Sequence, residues 1–382
     1  MINELEKIEQ EMIEIRRHLH MYPELSFEEE NTAKYIAEYL TKLGIPHKTN
    51  VSGHGIVATI KGAGEGKIVA LRADFDALPV EDEKDVPYKS KVSGVMHACG
   101  HDAHTASLMG VAKVAWQNKD KFNGEIRLIF QHAEEVQPGG AVGLIEAGCL
   151  EGVGAIFGNH MASQMPCGLM GYAHGPIMAA SATFDLTIQG KGGHGAYPHT
   201  TVDPIVVGAN IIQGFQQIVS RKTNPLQPVV VTVGQFDAGT ADNIIPDTAW
   251  LAGTVRVFNQ QVQDDTEKEM IKVIQGACDA FGATYKFGFY RSYPAVVTTK
   301  DETMLAKKAF DALGMESVEM QPRMGAEDFA YYVQKVPGAF FSTGAGGPEY
   351  APHHHPKFDI DERSILFAAK GLLQCALLYL ES

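Results

Sequence analysis

The stretch HACGHDAHT, His97 to Thr105, holds three histidines, a cysteine and an aspartate. Cys99 and His101 are two apart, where a helical pattern begins. A thiolate and an imidazole are both good donors to a borderline cation such as zinc. A hydrogen-bonded polar turn uses the same residue types, so the pair alone leaves both readings open. Other segments offer matching chemistry. Glu134 and Glu135 follow an apolar run, GEIRLIFQHAEE. Neighbours on an extended chain point to opposite sides, whereas a turn lets both face one cleft. A solvated acidic tip is the plain alternative. Ligand sites in α/β proteins gather beyond the carboxyl ends of strands, which favours a site.

His160 closes the apolar run GAIFGNH, and His353, His354 and His355 stand together in PHHHP. Asp74 and Asp76, in LRADFDALP, share one face of a strand end and repel each other. A cation or a bonded histidine would relieve them. Each cluster alone has a structural reading. Together they place several ligand-type groups beside strand ends or helix starts, the arrangement of an active site.

The elements that must position these groups read as an α/β chain with a mixed sheet. Leu5, Ile8, Met12, Ile15 and Leu19 recur at helical spacing. A helix over 28–43 ends at Gly44 and Pro46, and another runs over 102–118. GIVATIKGAGEGKIVALRAD reads as a hairpin about a glycine-rich turn. That turn lacks the lysine and following helix of a phosphate loop. From about Ala182 the pattern becomes β-α-β-β-α-β, a ferredoxin-like order. The sequence thus divides into a discontinuous unit, 1–182 and 294–382, and an insertion, 183–293.

At 382 residues the chain is too long for one core. Its net charge of −14 argues against nucleic-acid or anionic-membrane partners, which need a basic face. The same charge welcomes a divalent cation. Cys99, Cys149, Cys167, Cys278 and Cys375 are odd in number and lack a C-x-x-C pair, so no disulfide framework is expected. The first twenty residues read as a charged amphipathic helix rather than a signal peptide. No apolar run reads as long enough to cross a bilayer, and a reducing cytoplasm is the expected location.

The motifs RADFDALP, HACGHDAHT, HAEE, GNH, GGHGAYPH, ADNIIPD, GAEDFA and HHPKFD, in that order along nearly the whole chain, resemble the M20 family of metallopeptidases and amidohydrolases. They are most similar to its N-acyl-amino-acid amidohydrolase branch, which includes hippurate hydrolase, auxin-conjugate hydrolases and N-acetyldiaminopimelate deacetylase. The resemblance implies a metal-binding catalytic domain holding two divalent ions, Mn2+ or Zn2+, with Ni2+ or Co2+ as alternatives. It implies Cys99, His101, Glu135, His160 and His354 as ligands, with His353 and His355 as bystanders. Glu134 would be the general base and Asp76 the support of the ligand shell. The insertion would be a lid that forms a homodimer. From it His194 would stabilise the oxyanion in the site of the partner subunit, and Asn243 and Arg256 would bind substrate. The chain departs from the wider family at Asp74, where a histidine is usual, and at Cys99, where an aspartate is usual. The implied reaction is amide hydrolysis of a small N-acyl amino acid. A metallo-carboxypeptidase or dipeptidase is the alternative within enzymes, and a structural-zinc protein the alternative outside them. Structural zinc sites are closed and rich in Cys and His; the dispersed, carboxylate-rich set here favours an open catalytic site.

Overall fold

The computed structural model describes residues 1–382. In chain order the first elements are α1 (Glu9–Met21), α2 (Glu30–Leu43), β1 (His47–Val51), β2 (Gly55–Lys61), β3 (Ile68–Asp74), α3 (His101–Gln117), β4 (Glu125–Gln131), α4 (Ala141–Glu146), β5 (Ala155–Pro166), β6 (Met170–Tyr172) and β7 (Gly175–Met178). The middle of the chain forms β8 (Ala180–Gln189), β9 (Gly193–His194), α5 (Pro204–Gln217), β10 (Val229–Ala238), β11 (Ile244–Ile245), β12 (Thr248–Val257), α6 (Gln260–Phe281) and β13 (Thr284–Arg291). The remainder forms β14 (Val296–Thr298), α7 (Lys300–Ala312), β15 (Ser317–Glu319), α8 (Phe329–Val333), β16 (Gly338–Gly346) and α9 (Arg363–Glu381).

The chain folds as two compact units. The first comprises Met1–Gly175, Val297–Gln321 and Glu327–Ser382. Its mixed eight-stranded sheet has the order β1-β2-β4-β3-β5-β16-β6-β15. β3 lies parallel to both β4 and β5, and β16 lies parallel to β5. The expected hairpin is not formed: β4 lies between β2 and β3, antiparallel to one and parallel to the other. β3 is buried almost along its whole length. A strand apolar on both faces belongs in the middle of a covered sheet, not beside its sequence neighbour at an edge. His160 is also not a strand end. β5 continues past it to Pro166, with His160 opposite Ser342 of β16.

Helix α3 is buried nearly all round, the mark of a helix enclosed by other elements. It packs against α1, α9 and the sheet. Small residues allow that closeness: a Cβ on Gly110 would come within 2.2 Å of Met12 Sδ. Gly100 precedes α3 at φ +92°, a conformation that favours glycine, and this turn sets Cys99 and His101 on either side of the helix start. Contrary to the sequence expectation, one segment is long and apolar enough for a membrane span. It is α9, with a mean hydropathy of 1.4. Half of it is buried within the unit, where it covers α3, α7 and the sheet.

The second unit comprises Pro176–Val296 with Pro322–Ala326. Its boundary precedes the expected one because β8 starts at Ala180, and Ser181 is bonded to Tyr293 at the far end of the unit. Its antiparallel sheet has the order β10-β12-β8-β13. With α5 and α6 this is the βαββαβ arrangement. Asp203 caps α5, where Pro204 takes the first turn, and Asn259 caps α6. Phe184, Leu186 and Ile188 of β8 pack with Ile211 and Phe215 of α5 and with Met270 and Ile274 of α6 in one apolar core.

A buried ion network fixes the start of α3 in the first unit. Arg16 is fully buried and its Nε lies 2.8 Å from Asp102 Oδ2. The same guanidinium reaches Asp359 and Glu362, and Asp102 also binds His20 Nδ1 at 2.7 Å. Replacing Arg16 with methionine leaves Asp102 buried without its main counter-charge. A loss of about 3–5 kcal/mol is expected, read from the urea midpoint of the full chain. A loss under about 1 kcal/mol would show that the network behaves as a surface pair does.

Candidate metal centre

Four segments of the first unit, the loop and start of α3, the turn after β4, the middle of β5 and the loop before α9, bring the expected ligands together. One donor atom each from Cys99, His101 and His160 lies within 4.8 Å of the others. The same holds for Cys99, Glu135 and His354, and for His101, Glu134 and Glu135. Cys99 Sγ is 3.5 Å from His160 Nε2, and Glu135 Oε1 is 3.2 Å from His354 Nε2. All five expected ligands and Glu134 therefore share one cluster.

His101 and His160 each turn Nε2 toward it. His101 Nδ1 lies 3.0 Å from both the carbonyl and the carboxylate of Asp76, two acceptors, so it donates. Its Nε2 is left with no hydrogen-bond partner although buried. His160 Nδ1 donates to the Met161 carbonyl at 2.7 Å, which leaves its Nε2 facing Cys99. A buried imidazole nitrogen without a donor is costly in an apolar site and suits a cation. His104 differs. Its Nδ1 faces Asp74 at 2.6 Å and its Nε2 accepts the Met161 amide at 2.8 Å, so both nitrogens are used. His104 thereby holds Met161 beside His160. His97 is buried with neither ring nitrogen bonded, and burial pushes its pKa down to about 4.

Charge points the same way. Asp74, Asp76, Glu134, Glu327 and Asp328 are buried, and Glu135 is nearly so. Arg72 pairs with Asp74 at 2.6 Å, Glu327 at 3.0 Å and Asp328 at 2.8 Å. One guanidinium faces many carboxylates. Burial, then the carboxylates of Glu327 and Glu135, push the Glu134 pKa well up. Burial and then Glu135 push the Cys99 thiol well up. Divalent cations would reverse both pressures and favour the thiolate. The donors present, thiol, imidazole and carboxylate around orphaned nitrogen, fit a borderline transition metal.

The chain must turn for both glutamates to reach the cluster, and it does. Ala133, two residues beyond the end of β4, has φ +52°. The Glu135 amide then donates to Asp76 Oδ2 at 2.9 Å, so Asp76 supports both His101 and Glu135. Ser26 Oγ donates to that same Asp76 oxygen at 2.7 Å. His354 also sits at positive φ, +62°, with its amide on the Ala98 carbonyl. The ring of His353 lies 5.1 Å from that of His160. The His355 ring accepts the nearby Lys357 amide.

The remaining expected residues belong to the second unit. His194 pairs with Ile244 between β9 and β11, and the Gly195 amide binds the Asn243 carbonyl at 2.9 Å. His194 and Asn243 are thus neighbours. Arg256 is placed apart from them in β12, opposite Val230 and Ser181. Reasoning from sequence missed Ser26, Glu29, Arg72, His104, Glu327 and Asp328 as parts of the centre. Arg72 and the Glu327–Asp328 pair lie inside the quoted RADFDALP and GAEDFA motifs. Ser26 and Glu29 carried no signal beyond an acidic loop.

A family model described as peptidase family M20/M25/M40 matches residues 70–377. Thermostable carboxypeptidase 1 of Saccharolobus solfataricus is 43% identical over 366 residues, covering 94% of this chain and 93% of its own. N-acetylcysteine deacetylase of Bacillus subtilis is 40% identical over 376 residues, covering 97% of each. The crystal structure of the Bacillus subtilis YXEP protein, described as a dinuclear metal binding peptidase from the M20 family, superposes with a TM-score of 0.88. It is 36% identical and covers 98% of this chain and 99% of its own. The match spans the segments that carry the cluster, and the chain belongs to peptidase family M20/M25/M40, as a metal-dependent hydrolase of amide bonds.

Proposed function

We propose that this enzyme removes the acyl group from small N-acyl amino acids, giving a carboxylic acid and a free amino acid. The observation that carries the reading is the convergence of His101 Nε2, His160 Nε2, Cys99, Glu135 and His354 beside a buried Glu134. These five residues would hold two divalent ions, manganese or zinc first, with nickel or cobalt as alternatives. Bound there, such ions lower the pKa of a water and polarise the acyl carbonyl. Glu134 accepts the proton of the attacking water and returns it to the departing amine. A raised pKa suits that double task, because the carboxylate must release the proton as readily as it takes it. Asp76 keeps His101 in one tautomer and holds the Glu135 backbone. In the second unit His194 stabilises the oxyanion, and Asn243 and Arg256 bind substrate, with the planar fork of Arg256 suited to a carboxylate. This lid pairs two chains as a homodimer, which lets His194 act across the interface. A cytoplasmic site of action suits the free thiol, since all five cysteines are unbridged.

The deacetylase relative supports the N-acyl substrate, whereas the carboxypeptidase relative favours a peptide. A panel of N-acetyl and N-benzoyl amino acids and dipeptides, assayed after loading with each metal, separates the two. Higher kcat/KM on the N-acyl amino acids is expected; faster dipeptide cleavage would overturn the preference. Glu134→Gln is expected to lower kcat by about 10²- to 10⁴-fold with metal content unchanged. Loss of metal along with activity would mean that the two glutamates are exchanged in role. Chelation is expected to stop hydrolysis while far-UV circular dichroism stays unchanged, because the first unit has an extensive apolar core of its own. Global unfolding on chelation would indicate a structural metal instead.

A further inference from the structure

We infer that Glu29 is a positioning residue of this centre, holding the turn that aims Glu134 and Glu135 at the metal ligands. The inference rests on the metal-hydrolase reading above. Glu29 stands at the start of α2, 104 residues before the turn, and is fully buried. Its Oε1 accepts the Ala133 amide at 2.7 Å. Its Oε2 has no partner. No helix or strand bond uses that amide, since β4 ends at Gln131.

Ala133 needs such a clamp. At φ +52° it occupies the left-handed region, which residues with a Cβ enter at a cost. The same residue is pinned on its other side, where its carbonyl accepts the Gly140 amide at 3.1 Å. Two residues on, Asp76 takes the Glu135 amide. Three fixed points therefore define the turn: Glu29, Gly140 and Asp76. Without a left-handed residue here the strand would continue extended, and adjacent glutamates would point to opposite sides. With it, both carboxylates lie within the same 4.8 Å cluster as His101. Glu29 touches no ligand; it acts through the backbone of Ala133.

Three substitutions separate this role from simple packing. Glu29→Gln keeps an acceptor of the same length. Glu29→Asp keeps the carboxyl group and withdraws the acceptor. Glu29→Met fills the space with no acceptor. Metal retained after gel filtration, and kcat on an N-acyl amino acid, are read for each folded protein. Glu29→Gln should match the wild type in both. Glu29→Asp and Glu29→Met should weaken metal retention and lower kcat by about 10- to 100-fold with KM little changed. Adding Ala133→Gly should restore most of the loss, because glycine enters the left-handed region freely. If Glu29→Met does not fold, Glu29→Asp carries the comparison. Equal loss in Glu29→Gln and Glu29→Met, no loss in Glu29→Asp, or no rescue by Ala133→Gly would each overturn the inference. Metal retention is read without substrate. A wild type that hydrolyses no member of the panel would therefore defeat the functional reading while the role of Glu29 is still decided.

Discussion

Too many carboxylates are buried too close together for the positive groups the chain supplies. Asp74, Asp76, Glu134, Glu327 and Asp328 are removed from water, with Glu135 nearly so, and Arg72 is the guanidinium among them. Burying an unpaired carboxylate costs far more than a single hydrogen bond returns. A fold can keep such a set only by protonating some members or by binding cations. His101 Nε2, buried without a partner, and His160 Nε2, turned toward the Cys99 thiol, favour cations. Protonation would neutralise acids without explaining two imidazoles held with their lone pairs inward. Cations answer both.

The sheet exists, from the point of view of the site, to deliver these groups to one edge. Asp74 ends β3 and Asp76 follows it; Glu134 and Glu135 follow β4, which is β3's parallel neighbour. His160 lies on β5, parallel to β3 on its other side. Parallel neighbours put their carboxyl ends together, so three strands contribute to one place without any local sequence contact. Cys99 and His101 come from the loop and first turn of α3, which the Arg16–Asp102–His20 network anchors to α1. The positive end of that helix then faces the acidic cluster.

Much of this was legible in the residues. Ligand types at strand ends and a helix start pointed to a centre, and the order of motifs named its family. The βαββαβ order of the second unit followed from alternating patterns alone. The failures have specific causes. GIVATIKGAGEGKIVALRAD resembles a hairpin because turn chemistry is local, whereas the insertion of β4 between β2 and β3 is set by burial on both faces of β3. The apolar run before His160 ends there as a pattern, yet the strand continues, because pairing with β16 is a property of two distant segments. Ser26 and Glu29 act through single long-range hydrogen bonds and His104 through two, and such bonds leave no periodicity to detect.

Glu134 and Glu135 show how far position outweighs identity. They are the same residue type, adjacent, and reach the same cluster. Glu135 has its amide on Asp76 and its carboxylate beside the imidazoles of His354 and His101. Glu134 faces Glu327 and Asp328, whose nearest common cation is Arg72. Its surroundings disfavour charge and make a proton welcome. A ligand must stay ionised and a general base must exchange a proton; the turn at Ala133 places one glutamate in each environment. Had the chain stayed extended through 133–135, one of the two would have faced away and the division of labour could not arise.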